Sequence, residues 1–280
     1  MHERIAYRFF VRNGSMNGSG NDKARTGLRE NEASRMQIAF LFLTISDHHQ
    51  ADVWRAFLAK APPGTYRIYS HAKRTLDASA WLAPFRIAER VMTKWAHISL
   101  VVATVALLQA ALQDPANTYF ILCSESCIPI APFAHLHEFL CEGAPAQMSF
   151  FCYNPDYHKT KDCQQRYARF GAKEWIPEHR FRKADQWWIL HRAAAAACVR
   201  ERERLWRFDR VFAADEHFFI NVVDRLGLPF QNRWSTYADY EVDRSHPVLF
   251  RHLSRRFLAL LRARGFFFLR KVPSEVLWID

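Results

Sequence analysis

Three short apolar runs rich in β-forming residues, Gln37-Ile-Ala-Phe-Leu-Phe-Leu43, Tyr66-Arg-Ile-Tyr-Ser70 and Tyr119-Phe-Ile-Leu-Cys123, alternate with two stretches of helical periodicity. The first helical stretch, Asp52 to Ala61, stops at Pro62-Pro63-Gly64, and the second, Ser99 to Gln113, is closed by Asp114-Pro115. Strand and helix in alternation imply a largely parallel sheet covered on both faces. Such sheets bind ligands beyond the carboxyl ends of their strands, so the loops Thr44–His49, Ser70–Thr75 and Ser124–Pro129 are the first places to seek a site.

The rest of the chain is less regular. Met148–Tyr153 reads as a strand, Trp187–Arg202 as an alanine-rich helix, and Glu216–Leu226 as a shorter helix with Asp215 and Glu216 in its first turn. Phe257–Arg264 reads as a helix stopped by Gly265, and Phe266–Val272 as a last strand. Residues 12–34 are rich in Gly, Asn, Ser and charge and have no apolar period. The expectation is a disordered, dispensable leader over residues 1–35 and one catalytic domain over 36–280.

Half of the residues are hydrophobic and 15% aromatic, enough for a large core. A net charge of +11 favours a polyanionic partner, and nucleic acid is the usual first candidate. The Lys and Arg are spread along the chain, however, with local clusters at Arg200–Arg210 and Arg251–Lys271 and no zinc-finger or RNA-binding signature. The longest apolar run, Ile98 to Leu112, falls short of the roughly 20 residues that span a bilayer. Without a signal-peptide pattern the expected location is the cytoplasm. The six cysteines, at 123, 127, 141, 152, 163 and 198, form no CxxC pair or zinc spacing and are expected reduced and mostly buried.

Three segments together resemble the core-2/I-branching β-1,6-N-acetylglucosaminyltransferases (glycosyltransferase family 14, with the peptide O-xylosyltransferases), especially their plant and microbial branch. One segment runs from Trp95-Ala-His-Ile-Ser-Leu-Val-Val-Ala103 through Leu107-Leu-Gln-Ala-Ala-Leu-Gln-Asp114 and Asn117 to Phe120-Ile-Leu-Cys-Ser-Glu-Ser-Cys-Ile-Pro-Ile130. Another is Arg182-Lys-Ala-Asp-Gln-Trp-Trp-Ile-Leu-His-Arg192 followed by Ala213-Ala-Asp-Glu-His-Phe218, similar to the family's W-K-G-S-Q-W and D-E-H/Y motifs, with Ala184 where Gly is usual. The third is Asn232-Arg-Trp-Ser-Thr-Tyr-Ala-Asp-Tyr240 with His246-Pro247 and a closing Phe268-Leu-Arg-Lys-Val272. The resemblance implies a GT-A-like α/β fold, a Rossmann-type mixed sheet flanked by helices. Residues 36–130 would form the nucleotide-sugar-binding half and 131–280 the acceptor and catalytic half.

It also implies an inverting transfer from a UDP-sugar, N-acetylglucosamine or xylose, to an acceptor glycan, without a metal or other cofactor. The chain has no Asp-x-Asp, and its nearest patterns, Glu201-x-Glu203 and Glu241-x-Asp243, lie away from an expected strand end. Inverting transfer needs a base for the acceptor hydroxyl and positive charge for the leaving UDP. Glu216 matches the family's catalytic glutamate, with Asp215 holding the loop; the plainer role for the pair is to cap the helix. Lys271, with Arg270 beside it, matches the phosphate-binding lysine of the closing motif, and Arg244 or Arg251 is its candidate partner.

Thr44 and His71 are placed near the uridine, although animal relatives carry an aspartate just after the equivalent histidine, whereas this chain has Lys73 two positions beyond His71. Glu125 and Ser124, with Trp187 and Trp188, are expected on the acceptor side, since sugars stack on aromatic rings and bond to carboxylates. One of the two tryptophans should instead pack in the core, and Trp187 is the one placed nearer the site. A sugar-binding protein that has lost catalysis, and a basic nucleic-acid-binding protein, are the competing readings. Oligomeric state is not legible in the sequence.

Overall fold

The computed structural model describes residues 36–240 and 246–280. The leader expected over residues 1–35 lies outside the described residues, as does Arg244. In chain order the strands are β1 (Gln37–Thr44), β2 (Tyr66–Ala72), β3 (Asn117–Cys123), β4 (Ile128–Pro129), β5 (Ser149–Phe151), β6 (Ile189–His191), β7 (Phe230–Asn232), β8 (Thr236–Ala238), β9 (His252–Ser254), β10 (Phe268–Arg270) and β11 (Leu277–Ile279). The helices are α1 (Ala51–Leu58), α2 (Ser99–Leu112), α3 (Phe133–Glu138), α4 (Lys161–Tyr167), α5 (Arg192–Arg200), α6 (Phe218–Arg225) and α7 (Arg255–Ala263).

One six-stranded sheet runs in the order β2-β1-β3-β6-β5-β7. β1 is parallel to both β2 and β3, as the opening alternation implied. All eight of its residues are buried, which is why it reads as an unbroken apolar run rather than an alternating one. Beyond β3 the sheet departs from the parallel expectation: β6 is antiparallel to β3 and to β5, and β7 returns parallel to β5. The sheet is therefore mixed, and strands from the second half of the sequence extend the one begun by the first.

The segment expected as a helix from Trp187 to Arg202 is divided. Trp188 and Leu190 are buried in the middle of the sheet, where β6 pairs with β3, and the helix starts only at Arg192. His191 ends the strand and caps the helix, its Nδ1 accepting the Ala193 N–H at 3.2 Å. Tertiary pairing thus overrides an apolar run that contains no breaker. Arg192 next donates to the carbonyls of Leu112, Asp114 and Asn117, each at 2.9 Å, and so closes the C-terminal end of α2.

Trp54 of α1 locks that helix to the sheet. Its ring packs edge-on against Phe42 at 4.8 Å, and its Nε1–H donates to the Cys127 carbonyl at 2.8 Å. A second apolar cluster, which includes Ile128, Leu253, Leu261 and Leu269, forms around the three-stranded sheet β4-β10-β8. The last strand is shorter than the run Phe266–Val272 suggested: β10 ends at Arg270, so Lys271 lies just beyond it, and β11 was not anticipated. No described helix is long and apolar enough to cross a membrane.

Candidate active site

The carboxyl ends of β1 and β2 lie side by side, with Leu43 opposite His71 and Thr44 opposite Ala72. Thr44 is buried and its Oγ1 has no partner. His71 is also buried, and its Nε2 accepts the Val91 N–H at 2.9 Å. The ring proton therefore sits on Nδ1, which has no partner either. Burial lowers the His71 pKa, so the ring is a neutral donor. Two neighbouring strand ends thus carry buried polar atoms without a side-chain partner, as do several other places in the fold. Asp47 holds the adjoining loop by accepting the N–H groups of Trp81 and Leu82 at 2.8 and 3.0 Å.

The Ser124–Cys127 loop after β3 is mostly structural. Ser124 is buried, with its hydroxyl 3.1 Å from that of Ser126 and 3.3 Å from the Cys127 sulfur, so it does not offer an acceptor contact. The Glu125 carbonyl accepts the His49 N–H at 2.9 Å, while the negative charge of its side chain favours the protonated form of Lys271. Glu125 is thus within electrostatic reach of Lys271. Burial raises the thiol pKa of Cys123 and Cys127, which leaves both as protonated core residues.

Glu216 occupies a different local structure from the one expected. Ala213 takes a left-handed conformation at φ 52°, a single 3-10 turn spans Ala214–Glu216, and α6 begins only at Phe218. Asp215 therefore does not cap the helix; the N-cap position is His217, whose side chain makes no cap bond. His217 instead holds the motif down, with Nδ1 donating to the Arg182 carbonyl at 2.7 Å and its ring stacked 4.7 Å from that of Phe181. Burial first, and the charge of Arg166 second, push its pKa to about 3.

The Glu216 carboxylate is partly exposed and meets two cations. Its Oε2 lies 3.2 Å from Arg166 Nη1 and 3.3 Å from Lys183 Nζ. Two further carboxyls surround it. Asp215 is buried and its pKa is pushed up to about 7, by burial and then by the charge of Glu216; Asp185 is pushed up to about 6 by the same causes in the same order. Of the three, Glu216 alone has cationic hydrogen-bond partners, whereas its neighbours tend toward the neutral form.

Asp185 feels the charges of both Glu216 and Arg270. So does Tyr240, whose pKa burial and the Asp185 charge push up to about 12. Arg270 is buried with its guanidinium 4.0 Å from the centroid of the Trp187 ring, and its Nε has no partner. Lys271 is half-buried; burial and then the Arg270 charge lower its pKa, with Glu125 opposing them. Trp187 is also buried, with one ring face under Arg270, so it does not offer that face to an acceptor sugar. Trp188 is buried with its ring tilted on Phe219 at 5.0 Å, leaving no face for a sugar. Arg251 has an exposed side chain, and its carbonyl accepts the Leu277 N–H at 2.8 Å.

Arg166 was not foreseen. It lies on α4, 50 positions before Glu216, and only the fold brings the two together. Beside it, Asp162, Gln165, Arg166, Arg169 and Phe212 line a concavity of about 330 Å³. Among the described residues no group of three or more His, Cys, Asp or Glu is placed to hold a metal ion.

The model of the Branch family, described as Core-2/I-branching enzyme, matches residues 38–259, and the chain belongs to that family. Among curated proteins it is similar to glycosyltransferase BC10 of Oryza sativa subsp. japonica, with 25% identity over 186 residues. That match takes in 62% of this chain and 43% of the rice protein, so the chain spans less than half the length of that relative. Among solved structures, mouse xyloside xylosyltransferase 1 in its apo form aligns over 83% of this chain and 97% of its own, at a TM-score of 0.38 and 9% identity, a likeness too slight to carry an argument.

Proposed function

We propose that the protein is an inverting, metal-independent glycosyltransferase that moves a sugar, N-acetylglucosamine or xylose, from a UDP-sugar to a hydroxyl of an acceptor glycan. Family membership supports transfer of a sugar. The observation that carries the reading is the Glu216 carboxylate, partly exposed and held by Arg166 and Lys183.

In this reading Glu216 takes the proton from the acceptor hydroxyl, whose oxygen attacks the anomeric carbon opposite the departing UDP. The bond from that carbon to the phosphate oxygen breaks, and the electron pair leaves with UDP. Lys271 and Arg270 hold the diphosphate charge that develops, as fixed cations in a partly buried place where each counts for more than in water. The unpartnered Thr44 Oγ1 and His71 Nδ1 supply hydrogen bonds to the uridine. Charge carried by side chains makes a divalent cation unnecessary, and the protein would work in the cytoplasm.

The test is Glu216→Gln, which keeps size and polarity but cannot accept a proton. Turnover of UDP-N-acetylglucosamine or UDP-xylose should fall by about 10² to 10⁴ while UDP affinity, titrated in EDTA, stays within about twofold. Full turnover in the variant would assign the base to another carboxyl.

A further inference from the structure

We propose that Trp95 and Phe212 form a stacking platform for an acceptor sugar next to the one that receives the transferred group. The proposal rests on the assignment of Glu216 above and extends it to the recognition of a longer glycan. Both rings are large and open to solvent, Trp95 66% and Phe212 46% exposed. They meet edge to face with centroids 5.6 Å apart, and the Trp95 ring also lies 5.7 Å from that of His246.

The backbone is bent to present them. Ala96 and Ala213, each directly after one of the two aromatics, both adopt positive φ, 54° and 52°, and the Ala213 N–H donates to the Ala96 carbonyl at 3.0 Å. The Cβ of alanine disfavours a left-handed backbone, and two such residues back to back persist only where their surroundings enforce them. Holding two apolar rings in water by this means serves no purpose in packing a core.

Arg166 joins the platform to the reacting carboxylate. Its Nη1 donates to the Phe212 carbonyl at 2.9 Å and to Glu216 Oε2 at 3.2 Å, while its guanidinium carbon lies 5.1 Å from the Phe212 ring centroid. One planar cation therefore fixes the distance between the aromatic surface and the base. The 330 Å³ concavity at this junction has one aromatic wall and carboxylate, amide and guanidinium groups around it. A pyranose matches that lining, with an apolar C–H face for the ring and hydroxyls at its edge for the polar groups. The nucleotide has its own candidates at the β1 and β2 ends and at Lys271, which leaves this surface to the acceptor.

The experiment compares wild type, Trp95→Ala, Phe212→Ala and Trp95→Phe for binding of cellotriose, xylotriose and chitotriose by saturation-transfer NMR, with the matching methyl monosaccharides alongside. Trisaccharide affinity should fall about tenfold in each alanine variant and recover most of the way in Trp95→Phe, while monosaccharide affinity changes less than about twofold. Equal trisaccharide affinity in wild type and Trp95→Ala, or no trisaccharide binding by the wild type, would overturn the platform. Hydrolysis of UDP-sugar, lost in Glu216→Gln, is scored separately. A platform that binds glycan in a protein without that hydrolysis keeps this proposal and removes the transferase reading; hydrolysis without a Trp95 effect does the reverse.

Discussion

Replacing Asp215 with Asn removes one titratable group and changes little else, because the two side chains are nearly the same shape. In the folded protein, burial and the adjacent Glu216 charge push the Asp215 carboxyl from its ordinary 3.8 up to about 7. Between those values the native state holds the proton and the unfolded state has lost it, so stability falls as pH rises through the window. Below the unfolded value both states are protonated and nothing changes; above the folded value both are ionised and the loss is complete. At about 1.4 kcal/mol per unit over roughly three units, Asp215 costs the wild type at most about 4 kcal/mol at pH 8.

Asn carries no such cost. The stability of the variant relative to wild type should therefore climb between about pH 5 and pH 7 and level off above, as measured by guanidinium unfolding with tryptophan fluorescence from about pH 5 to 8.5. His48 and His217, whose pKa values burial lowers to about 4 and about 3, pull the other way, since they favour the native state as pH rises. They are common to both proteins and cancel in the difference. A difference that stays constant from pH 5 to 8.5 would show that Asp215 is ionised throughout and refute the argument.

Lys271→Ala should weaken UDP binding in EDTA by about 10- to 150-fold, the loss of one charge-assisted hydrogen bond, and calorimetric titration showing undiminished affinity would move the diphosphate elsewhere. A double-mutant cycle of Arg166→Ala with Glu216→Gln, read by chemical unfolding, should give a coupling of about 1 kcal/mol for a pair whose side chains are 12% and 27% exposed. Additivity within about 0.3 kcal/mol would mean that the pair contributes nothing to stability. Asp47→Ala strips the acceptor from the Trp81 and Leu82 N–H groups and should cost about 2 kcal/mol, lowering Tm by about 4 to 8 °C in a scanning experiment; an unchanged Tm would show that water replaces the carboxylate.

The opening βαβα pattern was legible because its elements are set by local periodicity, and its two helices are closed by Pro, Gly or Asp in the sequence itself. β6 was not, because Trp188 to Leu190 runs straight into an alanine series with no breaker, and only pairing with β3 makes it extended. The site divides in the same way. Glu216 and Lys271 were proposed from short motifs, while the ion pairs of Arg166 and Lys183 with Glu216 are made across the fold, where no spacing announces them. Asp215 shows a local rule overridden: an acid just before a helical run reads as a cap, but the left-handed Ala213 turns the chain so that this carboxyl is buried.

The register of β10 also sets an order of assembly. β1, β2 and β3 find one another through connections within the first half of the chain, whereas Phe268 and Leu269 must reach Pro129 and Ile128 from near the other end of the chain. The entropy of closing so long a loop grows only slowly with length, but contacts between distant segments form late. Lys271 follows directly on that strand, so it arrives among the last groups to be placed. An anion that depends on Lys271 will select finished molecules from partly folded ones and stabilise them alone, which makes ligand-dependent protection from proteolysis a measure of how much of a preparation is complete.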